Sequence, residues 1–128
     1  MTIPANLRYA ESHEWVRVEE DGIVIGVTEH AQSEMGDIVF AELPPVGAEY
    51  EKGESFAVIE SVKAVSDVYA PVGGTVIAVN EALIDSPELI NDDCYGDGWL
   101  VKLNLPLKAE LNELLSPAEY EAQLKAEA

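Results

Sequence analysis

The amino-acid sequence predicts a β-dominated barrel or sandwich with helical additions. Many short apolar runs are separated by glycine and proline, an Asp-Gly pair between two β-rich runs signals a hairpin, and helical signals are confined mainly to one early connection and the tail. With 128 residues, 48% of them hydrophobic, the chain has enough apolar surface for one compact core. We therefore expect a single domain over residues 1–128, with its core at about 8–104 and a C-terminal helical segment at about 108–127.

The first half of the chain predicts three strands and a short helix. HEWVRVEEDGIVIGV, which starts at His13, contains two β-rich runs on either side of its Asp-Gly pair. Thr28 is placed to cap a short helix through TEHAQSEM, and Gly36 stands where such a helix usually ends. DIVFAEL predicts a third strand, which stops at a Pro-Pro pair, and the turn-rich VGAEYEKGESF leads into the next strand.

The second half predicts the densest β region and then a terminal helix. FAVIESV and AVSDVYA flank Lys63, TVIAVN follows a Gly-Gly pair, and GWLVKLNL supplies a last strand. Ser86 begins a Ser-Pro-Glu sequence that predicts a cap and one or two helical turns. At the tail, Ser116 opens a capping box, SPAE, and Tyr120 and Leu124 lie on one helical face. These features predict an amphipathic C-terminal helix.

The charge and the chain's N-terminal sequence exclude several classes of ligand and location. A formal net charge of -18, from 25 acidic and 7 basic residues, repels nucleic-acid phosphates and anionic lipid, so we expect neither as a partner. Basic docking surfaces on partner proteins are the natural complement. No apolar stretch is long enough to cross a bilayer, and the N-terminus lacks the features of a secretory signal. We expect a cytoplasmic protein, or a mitochondrial-matrix protein if a transit peptide has been removed.

Groupings typical of catalytic or metal sites are scarce. His13 and His30 are not at i,i+4 spacing, and the sequence has no CxxC pair, glycine-rich phosphate loop or GxSxG elbow. We therefore expect no catalytic residues and no metal site, with both histidines as surface or packing residues. Cys94 is the single cysteine, has no basic neighbour that would generate a thiolate, and is expected to be inert.

Lys63 most needs an explanation, because it interrupts the apolar runs of FAVIESVKAVSDVYAPVGG between two small neighbours, Val62 and Ala64. If the runs pair, Lys63 falls at the connecting turn, and its amine projects into solvent from a rigid support. A covalent carrier of a swinging group needs this geometry. The turn lacks Gly, Asn, Asp and Pro, so only a type I turn, which tolerates most residues, fits. On residue patterns alone, a plain strand-end lysine stays an alternative.

Five sequence blocks carry a resemblance to a known family. SHEWVRV, GVTEHAQSEMGDIVFAELPPVG, ESVKAVSDVYAPVGG, VNEALIDSPELIN and YGDGWL occur in the order found in glycine cleavage system H proteins, which the chain resembles over nearly its whole length. The main departure is Gly73, which stands where serine is common. The resemblance implies a lipoyl-type barrel-sandwich hybrid of two sheets, with a short helix after the first hairpin and a C-terminal helix. The single domain would then be a lipoyl-carrier domain with its modified lysine at a hairpin tip.

The resemblance also implies a cofactor and the residues that direct its attachment. Lys63 would bear lipoic acid in amide linkage, and the protein would be a non-catalytic carrier. Glu60 and Gly74 match the acidic and glycine positions around a lipoylated lysine, so we expect them to take part in recognition by the lipoyl-attaching enzyme. A charge on an edge strand and a turn glycine are their structural alternatives.

Three enzymes are the partners that the resemblance implies. A pyridoxal-phosphate glycine decarboxylase would load an aminomethyl group onto the arm, a tetrahydrofolate-dependent aminomethyltransferase would remove the methylene group, and a dihydrolipoyl dehydrogenase would reoxidise the dithiol. Ser12, Glu14 and Asp67, in the matching SHEW and VSD segments, are candidates to shelter the labile, cationic intermediate by charge-assisted hydrogen bonds. Ordinary surface polar residues are the alternative for all three.

The residues around Lys63 leave other functions open for this lysine. A biotinyl site favours methionine on both sides of the lysine, and a 2-oxoacid dehydrogenase module favours aspartate before it, whereas this chain has Val62 and Ala64. A lipoyl-relay protein is not distinguished by sequence. An enzyme that uses Lys63 as a Schiff-base nucleophile would need a desolvated amine. An unmodified acidic interaction domain is the last alternative.

Overall fold

A computed structural model of the chain describes residues 2–104 and 108–127. In this part of the chain the strands are β1 (Arg8–Tyr9), β2 (Glu14–Glu19), β3 (Gly22–Val27), β4 (Ile38–Glu42), β5 (Glu49–Tyr50), β6 (Ser55–Ser61), β7 (Val65–Tyr69), β8 (Gly74–Val79) and β9 (Val101–Leu103). The helices are α1 (Glu29–Met35), α2 (Ala82–Asp85), α3 (Leu89–Asp92), α4 (Lys108–Asn112) and α5 (Pro117–Glu127).

The strands form two antiparallel sheets, which confirms the predicted fold class. The larger sheet has six strands in the order β1-β2-β3-β9-β8-β5, and the smaller has three in the order β4-β6-β7. Both sheets contribute to one apolar core, in which Val16, Ile23 and Ile25 from the larger sheet are buried together with Ile59 and Val68 from the smaller. The sheets remain separate, so the molecule is a sandwich and not a closed barrel.

A second, smaller core explains why β3 is apolar along its whole length. Tyr9, Trp15, Val24 and Tyr120 are buried in this cluster on the other face of the larger sheet. Because both faces of β3 are covered, all six of its residues are buried, and polar alternation is absent. Gly26 is required here, since a Cβ atom at this position would lie 2.5 Å from the Trp15 ring.

The C-terminal helix is confirmed with the predicted cap. The Ser116 amide donates to Glu119 Oε1 at 2.9 Å, and the Glu119 amide donates to Ser116 Oγ at 3.2 Å, which forms the reciprocal capping box. Tyr120 then stacks on Tyr9 with ring centroids 4.6 Å apart. The helix is thereby held against the outer face of the larger sheet.

The short helices differ in detail from the sequence predictions. Thr28 caps α1 as expected, because its side chain accepts a hydrogen bond from the Ala31 amide at 3.3 Å. The predicted cap at Ser86 is wrong: α3 begins at Leu89 after Glu88, without a side-chain cap. α2 and the two-residue strands β1 and β5 are too short for any residue periodicity to predict.

The two ends of the described chain lie close to the same helix. One depression of about 650 Å³ is lined by Ile3 from the N-terminal segment, Leu124 and Lys125 from α5, and His30 and Glu34 from α1.

Among the described residues, no helix has the length and apolarity needed to cross a membrane.

Candidate functional site

Lys63 is the middle residue of the three-residue turn, 62–64, that joins β6 to β7, and its side chain is exposed. Ser61 organises this turn: its amide donates to the Ala64 carbonyl at 2.8 Å, and its Oγ accepts from the Ala64 amide at 3.0 Å and the Lys63 amide at 3.3 Å. Neither Val62 nor Lys63 has a positive φ, which excludes the type I′ and II′ hairpin turns. This agrees with the prediction of a turn type that accepts most residues. The serine hydroxyl therefore replaces the missing turn residues.

A neighbouring loop holds the lysine turn in place. The Val62 amide donates to the Asp37 carbonyl at 3.0 Å. Asn91, on α3, fixes that loop by accepting from the Ile38 amide at 2.8 Å and by donating to the Gly36 carbonyl at 2.9 Å. The base of the lysine side chain is thus connected by hydrogen bonds to a helix that sequence analysis did not associate with the site.

The aliphatic part of the Lys63 side chain, the lysine stem, packs next to Gly36. The residue ends α1 with a φ of 79°, and a Cβ atom there would lie 3.2 Å from Lys63 Cε. A side chain at position 36 would be strained and would crowd the lysine. Met35, the preceding residue, lines a groove of about 200 Å³, so the lysine stem and the groove share the end of α1.

The groove brings together the three residues that were predicted to shelter an intermediate. Ser12, Glu14 and Asp67 all line it, from the segment before β2, from β2 and from β7. Ile59 and Val68 add apolar contacts to its wall. The result is a mostly apolar trough with hydroxyl and carboxylate groups along it.

Glu14 is the most unusual of these groups because its side chain is only 2% exposed. Burial raises the pKa of this carboxyl from 4.5 to about 7, although hydrogen bonds from the Ser12 hydroxyl and the Tyr69 amide act in the opposite direction. A carboxyl with this pKa changes charge near neutrality and is available to a cation that enters the groove.

Asp67 is an exposed groove residue with one internal partner. Its Oδ1 accepts a hydrogen bond from Ser55 Oγ at 2.9 Å. In the three-stranded sheet it pairs with Val58, which pairs in turn with Glu42. Among the described residues, the second carboxylate oxygen of Asp67 has no hydrogen-bond partner, so it is available to a ligand.

The two predicted recognition residues have different positions. Glu60 is half-buried in β6, three residues before Lys63, and pairs with Phe40 and Val65. Gly74 begins β8 in the larger sheet, where a Cβ atom would lie 2.8 Å from Asn104 Oδ1. The atoms nearest to Gly74 belong to Leu103 and Asn104, at the end of the neighbouring strand β9 in the same sheet, which gives this glycine a packing role besides its predicted one.

Two histidines are groove residues that were not predicted from the sequence. His13 and His30 both line the groove, and their ring centroids are 4.5 Å apart. Burial lowers the pKa of His13, while Glu127 acts in the opposite direction. Cys94 is buried, and burial raises the pKa of its thiol to about 12, so this group stays protonated at neutral pH.

Two antiparallel sheets with a shared core, and an exposed lysine at a hairpin tip of the smaller sheet, define the lipoyl-type barrel-sandwich fold. The sequence model described as glycine cleavage H-protein matches residues 7–127. The chain therefore belongs to the glycine cleavage H-protein family, and this membership supports a carrier role in the glycine cleavage system.

Individual relatives agree with this assignment. The chain is 53% identical over 125 residues to a glycine cleavage system H protein of Carboxydothermus hydrogenoformans, covering 98% of this chain and 96% of the relative. It is 57% identical over 126 residues to the Shewanella halifaxensis protein of the same name, covering 98% of each. The crystal structure of a glycine cleavage system H protein from Mycobacterium marinum superimposes with a TM-score of 0.89 at 37% identity, covering 96% of this chain and 99% of that one.

Proposed function

We propose that this chain is a non-catalytic carrier that holds lipoic acid on Lys63 and shuttles an aminomethyl group derived from glycine. Its partners would be a pyridoxal-phosphate glycine decarboxylase, a tetrahydrofolate-dependent aminomethyltransferase and a dihydrolipoyl dehydrogenase. The observation that carries the proposal is the exposed Lys63 side chain on a hydrogen-bonded three-residue turn, beside a groove with a buried carboxyl. When bound, a lipoyl group supplies a disulfide that opens to accept the one-carbon unit and is closed again by oxidation.

The described residues fit such an arm. The lysine turn is exposed, with Val62 and Val65 70% and 68% exposed, so an attaching enzyme has unobstructed access to the amine. The turn itself is fixed by the Ser61 hydrogen bonds and by the bond from Val62 to the neighbouring loop. A mobile arm on a fixed base is what delivery to several active sites requires.

The groove fits a cationic cargo. An amine that enters it meets the carboxyl of Glu14 and the carboxylate of Asp67, with the Ser12 hydroxyl alongside. A cation beside Glu14 favours the ionised form of that carboxyl, so binding of the amine and loss of the Glu14 proton reinforce each other. The apolar wall limits access of water to the bound amine.

The exposure of Lys63 also argues against the enzyme alternative. A Schiff-base nucleophile needs an amine that is desolvated in a pocket, whereas the Lys63 side chain is exposed on a turn. The catalytic groups needed for turnover would then belong to the partner enzymes. The net charge of -18 favours basic docking surfaces on them, so their affinities for this chain should fall as salt is raised.

The direct test is attachment of the cofactor. The chain is co-expressed with a lipoyl ligase, and its intact mass and the mass of the peptide containing residue 63 are measured. We expect one lipoyl amide on Lys63 and none on the Lys63→Arg variant, which should keep the same circular dichroism spectrum because residue 63 is exposed. An unmodified chain, or a label on another lysine, would refute the proposal, and borohydride trapping of a carbonyl compound on Lys63 would favour the enzyme alternative.

Recognition by the attaching enzyme is tested separately. We propose that Glu60 contributes to this recognition and that Gly74 does so in addition to its packing role. The Glu60→Gln variant should be lipoylated more slowly at unchanged stability, with Glu42→Gln, an exposed carboxylate on the adjacent strand, as its control. For Gly74→Ala, the rate of lipoylation is compared with the free energy of unfolding, so that a loss caused only by crowding of Asn104 is recognised.

The shelter role has its own experiment. In the Glu14→Gln, Asp67→Asn double variant, the aminomethyl cargo should be lost faster from loaded protein, because, among the described residues, two of the three carboxylates that line the groove are gone and only Glu34 is left. Glu42→Gln serves as the matched control, since Glu42 lies in the same row of the sheet as Asp67 but does not line the groove. An unchanged lifetime in the double variant would disprove the shelter role while leaving the carrier proposal intact.

A further inference from the structure

Three potential metal ligands converge next to the groove from separate parts of the chain. His13 precedes β2, His30 lies on α1, and Glu127 ends α5. One ligand atom from each residue lies within 4.8 Å of the other two. His13 Nε2 and Glu127 Oε1 are 3.3 Å apart, and two ligands of a tetrahedral zinc ion are separated by about the same distance when the metal–ligand bonds are about 2.0–2.1 Å.

The backbone conformation of His13 fixes the direction of its side chain. His13 has a φ of 74°, and among the described residues it is the sole non-glycine residue with a positive φ. Such a conformation costs free energy and persists where the surroundings require the side chain in one place. The surrounding structure therefore favours this placement of the imidazole.

The second nitrogen of His13 already has the type of partner that a metal-bound histidine uses. Nδ1 lies 2.8 Å from the Tyr120 hydroxyl, which is itself 2.7 Å from Thr28 Oγ1. In the tautomer with the proton on Nδ1, this N–H group donates a hydrogen bond to the Tyr120 oxygen, and the lone pair of Nε2 is free to bind a cation. Hydrogen bonding of this kind fixes the tautomer and the ring orientation of histidine ligands.

We propose that His13, His30 and Glu127 form a Zn²⁺ site that joins α5 to α1 and to the segment before β2. Two imidazoles and one carboxylate form a ligand set that suits zinc better than the oxygen-preferring Mg²⁺ or Ca²⁺. Three protein ligands leave the fourth position to water. The histidines are half-buried and Glu127 is exposed, so an ion can enter from solvent.

The position of the site gives it a structural consequence. His30 lines both the groove and the larger depression between α1 and α5, and Glu34 lines both as well. A zinc ion would cross-link the last turn of α5 to the residues that form the groove wall. This inference does not depend on lipoylation, and sequence spacing could not indicate it, because the ligands come from three distant segments.

Binding is tested on the full, unmodified chain after removal of metal. Isothermal titration with Zn²⁺ near neutral pH should give one site per chain. The variants His13→Asn, which tolerates a positive φ, His30→Gln and Glu127→Gln should each weaken binding by at least about tenfold. Glu49→Gln is the matched control, because Glu49 is exposed on β5 at the opposite edge of the larger sheet from β1.

A spectroscopic readout separates this site from general attraction of cations to an acidic surface. Co²⁺ in place of Zn²⁺ should give the intense visible absorption of a four-coordinate ion, and this absorption should be lost in the His13→Asn and His30→Gln variants. At the same concentration, Zn²⁺ should also raise the thermal midpoint of the unchanged chain by more than that of Glu127→Gln. Absence of saturable binding, or binding that the histidine variants leave unchanged, would overturn the proposal.

Discussion

Replacement of Glu14 by glutamine tests the energetics of the buried carboxyl. Burial raises the pKa of Glu14 from 4.5 to about 7, so the folded chain binds this proton more tightly than the unfolded chain does. The carboxyl therefore costs the fold little below pH 4.5 and progressively more as pH rises to about 7. A pKa difference of about 2.5, at about 1.4 kcal/mol per pKa unit, corresponds to a full cost of about 3–4 kcal/mol at higher pH.

Glutamine has nearly the same shape as glutamate and carries no charge. Its carbonyl oxygen is able to accept the hydrogen bond that the Tyr69 amide donates to Oε2, and its NH2 group, at the position of Oε1, is able to donate to the Ser12 hydroxyl. We expect the free energy of unfolding of Glu14→Gln to match that of the unchanged chain at about pH 4 and to exceed it by up to about 3–4 kcal/mol at about pH 9.

The assay is urea denaturation followed by tryptophan fluorescence at a series of pH values. Glu11→Gln is the control, because Glu11 is an exposed carboxylate just before the same strand, and its replacement should leave the pH dependence unchanged. If the difference between Glu14→Gln and the unchanged chain did not vary with pH, or if it became smaller as pH rose, the assignment of a raised pKa to Glu14 would be wrong.

Two further substitutions probe the scaffold around the site. Gly26→Ala should lower the free energy of unfolding by about 2–3 kcal/mol, because the new Cβ atom would lie 2.5 Å from the Trp15 ring, and an unchanged urea midpoint would contradict this packing. Asn91→Ala removes the acceptor for the Ile38 amide and should cost about 1–3 kcal/mol. It should also speed hydrogen exchange of the Val62 amide, and unchanged exchange would show that Asn91 does not support the lysine turn.

The sequence predicted the elements whose signals are local. The hairpin of β2 and β3, the cap at Thr28 and the capping box at Ser116 each depend on residues that are close in the chain, and all three occur. The hairpin turn is shifted by one residue from the predicted Asp-Gly pair, because Glu20 and Asp21 form it and Gly22 begins β3. The strands on both sides of Lys63 follow from runs of β-forming residues in the same way. The turn at Lys63 was harder to predict, because the Ser61 side chain replaces the usual turn residues by accepting hydrogen bonds from the turn. The signal available in the sequence was a serine directly before the turn.

Features that depend on distant contacts could not be predicted from the sequence. The sequence gives no sign that Asn91 supports the loop before β4, since its partners lie 53 and 55 positions away. The burial of Glu14 was likewise hidden, because a glutamate in a β-rich run is normally expected on the solvent side. The family resemblance identified Glu14 as a candidate, but its raised pKa follows only from the three-dimensional environment.

The closeness of the two chain ends has a practical consequence for redesign. Ile3 and Leu124 line one depression, so a short linker would be able to join the N-terminal segment to the end of α5. New ends could then be opened at the exposed turn around Gly47, where a Cβ atom would have no neighbour within 4 Å. A circularly permuted version of this kind would keep the Lys63 hairpin continuous and would free the region near α1 from tags.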